Sequence, residues 1–377
     1  MRSVFILQPK IPHYRLPFFA ELKKLGLDSD IEYIVGVDTY TEENVSERDF
    51  SYPQILPLFA KRYKLGSRAI LKQNIPSNLL KSDLIIVEYA LRNLLVYKWA
   101  FFGGVKRLAF WGHGKTYTKS NSKLEEWAKT KLGNRSDWFF GYTKKGVDVV
   151  VEKGFQEIRT TVVQNSTDTN QLKEMICSLS PKSVQNFKSQ HNIGVGPVGV
   201  FVGELEFSKR LDFLIAAAVE VHNQSDDFEL LIFGSGPELK NVLASCEEFP
   251  FIKYCGRADQ NTQALISKVA KLIMMPGRVG LIAVDSFALG LPIVTTKWPW
   301  HAPEFEYLSH GRNSVICQNS LEDYSLAVIN LIRDESRLNE LRNNCLQDSK
   351  KYTIESMAVN FHGGVLKVLS EVRPRKN

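Results

Sequence analysis

Cysteine is scarce in this chain: five in 377 residues, at positions 177, 246, 255, 317 and 345. They are scattered, odd in number and contain no CxxC pair, which argues against a disulfide frame or a thiolate zinc site and for a reducing compartment. Long apolar runs are also missing. No segment reaches the roughly 18 to 20 apolar residues that a membrane span requires. The run Val4–Leu7, ended by Pro9-Lys10, is too short for the core of a signal peptide. The GSGP turn at 234–237 lacks the spacing of GxGxxG and reads as the opening of a helix. The literal DxD, Asp28 to Asp30, falls in a turn before a strand and reads as turn chemistry, not as a metal site. No RNP-like, helix-turn-helix or finger pattern is present, so nucleic acid is not an expected partner.

What is present describes a globular protein: 44% of residues are apolar and 24% charged. The length exceeds one typical core, so two domains are expected. The net charge of +7 is unevenly placed, with 26 Lys and Arg against 18 Asp and Glu in residues 1–168, and 22 against 23 thereafter. A basic first half suits phosphorylated substrates or an anionic membrane surface.

Along the chain, short apolar runs alternate with helical patterns twice over. In the first half, strands are expected at Ser3–Leu7, Ile31–Val37, Leu84–Glu88, Arg107–Trp111, Trp138–Tyr142 and Thr161–Gln164. The loop after the first strand, QPKIPHYR, carries His13, Tyr14 and Arg15 towards the strand's C-terminal end, where open α/β sheets present ligand sites. Residues 39–68 read as irregular. They close with Lys61, Arg62, Lys64 and Arg68 interleaved with Leu58, Phe59, Tyr63 and Leu65, a mixture suited to a membrane interface or an anionic acceptor. The strand ending at Trp111 delivers WGHGK, in which Gly112 and Gly114 flank His113 and let the backbone turn sharply beside a ligand. Residues 169–196, polar and ending in HNIGVGP, are the linker candidate. The alternation restarts at Val198–Val202 and Phe228–Phe233, with a helix at Ser208–His222 between them. Three helical segments, Leu321–Asp334, Glu335–Lys350 and Thr353–Glu371, complete the chain.

The most informative stretch is KLIMMPGRVGLIAVDSFALGLPIVTT, residues 271–296. It reads as a buried strand, a glycine-hinged loop (Pro276–Gly280), an apolar helix (Leu281–Leu289) and a second buried strand. Gly290 and Pro292 stop the helix. Asp285 is the one carboxylate in that helix, so it either faces a cleft or has committed hydrogen-bond partners. The loop residues Gly277, Arg278, Val279 and Gly280 end at the helix N-terminus, where free amides and the helix dipole favour an anion. Amides for a diphosphate and an acid for paired hydroxyls are what a sugar nucleotide needs.

With these residues in view, the chain resembles the retaining family-4 glycosyltransferases of the GT-B fold over nearly its whole length. The segments that carry the resemblance are VGELEFSKRLDFLIAA (202–217), LLIFGSGPELKNV (230–242), PGRVGLIAVDSFALGLPIVTT (276–296) and HAPEFEYLSHGRN (301–313). In the first half they are PHYRLPFF (12–19), SDWFFGYTKKG (136–146) and VVQNSTD (162–168). The resemblance implies an α/β architecture of two doubly wound, Rossmann-like domains facing each other across a cleft. Residues 1–168 would form the acceptor side, with the last helix, 353–377, packing back on it. Residues 197–352 would form the donor side.

It also implies roles by position. Asp285 would hold the ribose hydroxyls, and the amides of Gly280 and Leu281 would face the sugar and diphosphate. Lys209 would bind phosphate, and His113 would lie near the reacting sugar. Two positions depart from the pattern: Gly277 stands where a glutamate is usual, and Glu204 where an arginine is usual, with Arg278 or Lys115 as substitutes for the lost charge. The activity implied is transfer from a nucleoside-diphosphate sugar to a hydroxyl acceptor, with no cofactor and no metal. The expected acceptor is a glycan or lipid-linked glycan of surface polysaccharide synthesis. The expected location is cytoplasmic, with a peripheral place at the inner membrane face. A non-catalytic nucleotide-sugar-binding protein and a sugar-nucleotide epimerase are the alternatives.

Overall fold

The computed structural model describes residues 1–39, 55–65, 68–90, 93–114 and 123–371. The chain divides into two compact units, residues 1–165 with 354–377, and residues 166–353.

In the first unit the strands are β1 (Arg2–Gln8), β2 (Ile31–Thr39), β3 (Ile55–Leu65), β4 (Arg68–Gln73), β5 (Leu84–Glu88), β6 (Leu108–Gly112), β7 (Trp138–Gly141) and β8 (Thr160–Val162). They form one sheet in the order β4-β3-β2-β1-β5-β6-β7-β8. All pairings are parallel except β3 with β4. The period-2 geometry of a strand divides each apolar run between two covered faces. From β1, Val4 and Ile6 enter a core with Phe18, Trp111, Phe140 and Phe361, whereas Phe5 and Leu7 enter a second core with Val87, Trp99, Phe110 and Phe139.

Residues 55–65 correct the expectation of an irregular segment. Ile55, Leu58 and Ala60 are buried while Phe59, Lys61 and Tyr63 are exposed, so the interleaving of apolar and basic residues is largely the alternation of a half-covered strand. Residues 40–54 and 66–67 lie outside the described residues.

The helix Ile354–Ser370 belongs to this unit although it ends the chain. Its buried side chains, Ile354, Met357, Ala358, Phe361, Val365 and Val368, recur at helical spacing on one face. Phe361 stacks on Phe140 with ring centroids 4.5 Å apart and meets Trp111 at 4.9 Å and Phe18 at 5.4 Å. His362 sits between the Ser29 hydroxyl (2.9 Å) and the Tyr33 hydroxyl (2.7 Å).

The second unit holds β9 (Val198–Val202), β10 (Glu229–Phe233), β11 (Ile252–Tyr254), β12 (Leu272–Met274), β13 (Ile293–Thr296) and β14 (Ser314–Cys317). All are parallel, in the order β11-β10-β9-β12-β13-β14. The stretch expected as a linker is instead two helices, Thr169–Ser178 and Pro181–Gln190, capped by Asp168 and Ser180. Leu172 and Phe187 anchor them in this unit's core. Each helix offers so few apolar anchors that its periodicity is faint in the sequence.

Phe361→Ala removes a fully buried ring with three aromatic neighbours. It is expected to cost about 3–5 kcal/mol in denaturant unfolding of the first unit; a loss below about 1 kcal/mol would mean that the last helix is not part of that core.

Candidate functional site

In both sheets the strand order reverses beside the first strand of the unit: β1 lies between β2 and β5, and β9 between β10 and β12. Ligands of open α/β sheets bind outside the strand C-termini at such switch points. In the second unit the two loops at that place are 203–210, after β9, and 275–281, after β12.

These loops are clamped together. The Arg278 amide donates to the Ser208 carbonyl at 2.8 Å, and the Lys209 ammonium donates to the Arg278 carbonyl at 2.6 Å. Gly277 lies beneath the same backbone: a Cβ there would fall 2.4 Å from the Ser208 oxygen and 2.5 Å from the Lys209 carbonyl carbon. The departure at Gly277 therefore has a local cause, because the clamp leaves no room for a side chain. A third loop, after β13, completes the fixing. The Thr296 hydroxyl donates to the Pro276 carbonyl at 2.8 Å, and the Ala302 amide donates to the Val279 carbonyl at 2.9 Å.

His301, buried and stacked on Phe305 at 3.9 Å, accepts the Val279 amide on Nδ1 at 3.1 Å. Its Nε2 lies 2.8 Å from the Thr296 carbonyl, which can only accept. The ring is therefore the neutral Nε2–H tautomer. Burial, with the nearby cations of Lys209 and Arg278, holds its pKa down at about 4.

The helix Ile282–Leu289 follows with no side-chain cap. The Val279 amide is already spent on His301, so the amides offered at the helix head are those of Gly280, Leu281 and Ile282. Lys209 stands on the facing loop, its pKa pushed down to about 8 by burial and by Arg278, against the opposing pull of Glu206, Glu204 and Glu304. Glu204 itself is exposed and Glu304 buried. Arg278 donates from Nη1 to the Trp300 carbonyl at 3.1 Å. Asp285 does have a committed partner: the Thr167 hydroxyl donates to its Oδ1 at 2.6 Å. Burial nevertheless pushes the carboxyl up to about 6. Among the described residues no three His, Cys, Asp or Glu converge as a metal-binding group.

The GSGP turn has a packing role. A Cβ on Gly236 would fall 2.4 Å from the Leu205 carbonyl oxygen, and the Leu205 amide donates to the Ser235 carbonyl at 2.9 Å. Its glycines let this turn press against the Lys209 loop. Arg210 was not singled out from sequence. It takes the left-handed conformation (φ 57°), stacks on Phe213 and Trp298, and reaches Asn319. That turn costs about 1–2 kcal/mol for a residue with a Cβ and ends the loop that aims Lys209.

In the first unit, His113 is exposed at the C-terminal end of β6, its ring 4.5 Å from that of Tyr142. Gly114 (φ 73°) passes so close to Gly146 that a Cβ would fall 2.0 Å from its carbonyl oxygen. His13 and Tyr14 are exposed. Arg15 is not an exposed loop residue. It is 7% exposed, among the rings of Tyr14, Phe18, Trp111 and Tyr142, with Nη1 3.2 Å from the Met357 sulfur. Lys115 lies outside the described residues.

Residues 196–334, which include both clamped loops, match the family model described as Glycosyl transferases group 1. The chain has the GT-B fold. HepE of Anabaena, solved in complex with UDP, is 16% identical, with a TM-score of 0.72 over 97% of this chain and 100% of that one. A glycosyltransferase from Rickettsia africae is 10% identical, with a TM-score of 0.73 over 98% and 99%. The sucrose-phosphate synthase of Thermosynechococcus elongatus is 14% identical, with a TM-score of 0.71 over 98% and 100%. No curated protein sequence matches. At such identities the likeness is one of fold: two doubly wound parallel α/β sheets of the GT-B type.

Gly277→Ala is expected to lower stability by about 1–3 kcal/mol, read by urea unfolding; an unchanged midpoint would show that the two loops are not clamped. Asp285 supplies a test by pH. Its folded pKa, about 6, lies above the ordinary carboxylate value of 3.8. Its contribution is fully present below about pH 4 and is lost as pH rises through 6. Relative to wild type, Asp285→Asn should therefore gain thermal stability between pH 4 and pH 7; a difference that is flat with pH would refute the raised pKa.

Proposed function

We propose that the chain transfers a glycosyl group from a nucleoside-diphosphate sugar to a hydroxyl acceptor. The carrying observation is the clamp at the switch point of the second unit, which sets Lys209 on the loop facing that of Arg278, just before the uncapped helix Ile282–Leu289 that carries Asp285 in its first turn. The barrier to such a transfer lies in separating an oxocarbenium-like sugar from a departing diphosphate. Fixed positive charge and amides aimed at the phosphates lower it, most of all when they need no rearrangement. In this reading Lys209 and the amides of Gly280 and Leu281 take the diphosphate, and Arg278 adds charge beside them. Asp285 accepts the paired ribose hydroxyls, its ionised form gaining the hydrogen bonds that burial otherwise denies it. The chemistry asks for no divalent metal, since the chain supplies the cation.

His113 would hydrogen-bond the donor sugar near the reacting carbon, and His13 and Tyr14 would line the acceptor side. Arg15 would hold that loop from beneath. The family-4 resemblance adds retention of configuration. HepE, of the same fold, was solved with UDP-glucose as well as with UDP, which makes a uridine nucleotide the first donor to try.

The acceptor would be a glycan, presented on a lipid carrier in surface polysaccharide synthesis. Exposed Phe59, Lys61 and Tyr63 on β3, with Phe102 and Trp127 elsewhere on the unit, suit a peripheral place at an anionic membrane. Among the described residues no helix is long and apolar enough to cross one. A non-catalytic binding protein is the second reading, favoured by Gly277, whose packing shuts out the usual acid.

The test is calorimetric titration of UDP, GDP, TDP and ADP at pH 8, in buffers of different ionisation enthalpy. Lys209, near half-protonated in the free protein at its pKa of about 8, should gain charge beside a diphosphate, so binding should take up protons. Lys209→Ala should weaken binding about 10- to 100-fold, the worth of a charge-assisted hydrogen bond, and abolish the uptake. No nucleotide binding to the folded protein would overturn the reading. Binding without turnover of the UDP-sugars would leave the non-catalytic one.

A further inference from the structure

Arg15 is a buried cation without an acid beside it. Among the described residues its guanidinium makes one hydrogen bond, to the Met357 sulfur, and no carboxylate pairs with it. A guanidinium taken out of water without a counter-charge is costly, and an apolar side chain would fill the same space at lower cost. What surrounds it is aromatic. Its Cζ lies 5.4 Å from the centre of the Tyr14 ring, 5.6 Å from Trp111, 5.6 Å from Tyr142 and 6.0 Å from Phe18. Rings at such distances attract a cation, most strongly where water is excluded.

Two of those rings lead to His113. Trp111 lies on β6 just before it, and Tyr142 directly follows β7. The Tyr142 amide donates to the Gly112 carbonyl at 3.2 Å. The Tyr142 ring stands 4.5 Å from the His113 imidazole and 5.6 Å from the Trp111 indole, so one ring lies against both the buried cation and the exposed histidine. The turn's backbone is fixed as well. The Gly146 amide donates to the Thr143 hydroxyl at 3.3 Å, and a Cβ on Gly146 would fall 3.0 Å from the His113 carbonyl oxygen. An exposed imidazole on a fixed turn can still change rotamer, and its contact with Tyr142 limits that freedom.

We propose that Arg15 and Tyr142 are positioning residues that aim the His113 imidazole, a proposal that rests on the transferase reading above. The cation holds the Tyr142 ring, and the ring holds His113 where it meets the donor sugar. Neither residue touches the substrate in this role. Its worth lies in geometry, because a reacting arrangement displaced by about 1 Å can lose on the order of 100-fold in rate. Charge and planarity both matter here, which explains why an arginine occupies a place that packing alone would give to leucine or methionine. Through Met357 the same guanidinium is tied to the helix Ile354–Ser370, so the end of the chain supports His113 as well as the core.

Proton–carbon NMR of the histidine rings in the full chain tests this, with the His113 signals assigned by His113→Gln. The Tyr142 ring current should displace those signals. Arg15→Met, which keeps length without charge, and Tyr142→Leu should each move them towards the positions of an unstacked histidine, while the signals of buried His362 stay in place. Tyr142→Phe, which keeps the ring, should leave the His113 signals displaced. In turnover of UDP-glucose, Arg15→Met and Tyr142→Leu should lower kcat about 10- to 100-fold with KM for the donor little changed. Neither should add to the loss in a His113→Ala background. Unmoved His113 signals in either variant, or losses that multiply with that of His113→Ala, would overturn the proposal. With UDP bound normally, those results remove the positioning role alone. Absent UDP binding would remove the transferase reading, and the NMR comparison would still decide whether Arg15 and Tyr142 hold the ring.

Discussion

The switch point of the second unit depends on one clamp between two loops. The loop after β9 and the loop after β12 touch through the Ser208 carbonyl, the Arg278 amide and carbonyl, and the Lys209 ammonium. The Gly277 Cα is packed into the same seam. Neighbouring strands place the two loops side by side, but adjacency alone would leave them free to part. The clamp makes Lys209 part of the wall, and it explains why a glycine holds position 277, where the family resemblance leads one to expect an acid. An acid there would need the 208–209 backbone to move, and with it the lysine.

The same seam sets the electrostatics. Lys209, His301 and Asp285 are each displaced towards their neutral forms by burial, to about 8, about 4 and about 6. For His301 the neutral form is structural, since both ring nitrogens are committed to backbone groups. For Lys209 and Asp285 the displacement is a standing cost of burial. In the reading proposed above, a diphosphate beside the lysine and ribose hydroxyls on the carboxylate would relieve it without movement of the backbone.

Much of this was legible in the sequence where one residue type broke a pattern. Asp285 stood out as a lone carboxylate in an apolar helix, and the glycine-hinged loop before it marked the helix head. The parallel strands were visible as continuous apolar runs. Residues 55–65 were hidden because a half-covered strand that alternates apolar with basic residues reads like a solvated loop. The helices 169–178 and 181–190 were hidden because each sends few apolar side chains into the core. Thr167, which holds Asp285, and His301, which pins Val279, carry no local signal. Their partners are more than a hundred and about twenty positions away, and only the meeting of loops at the switch point gives them a role. Arg15 is the reverse case: it was read with His13 and Tyr14 as part of a ligand-facing loop, yet cation–π contacts and a sulfur acceptor hold it inside.

At the same topological place the two units carry different side chains. At the β9/β12 reversal the loops present the Lys209 ammonium and the uncapped head of the helix Ile282–Leu289. At the β1/β5 reversal the strand ends carry Glu88 and a row in which Asn93 donates to Gln73 and Gln73 to Asp38. The fold fixes where a ligand of an open α/β sheet lies, and the side chains decide which ligand that is. Two reversals built on the same strand order therefore differ in character only through the residues that the sequence sets at the strand ends.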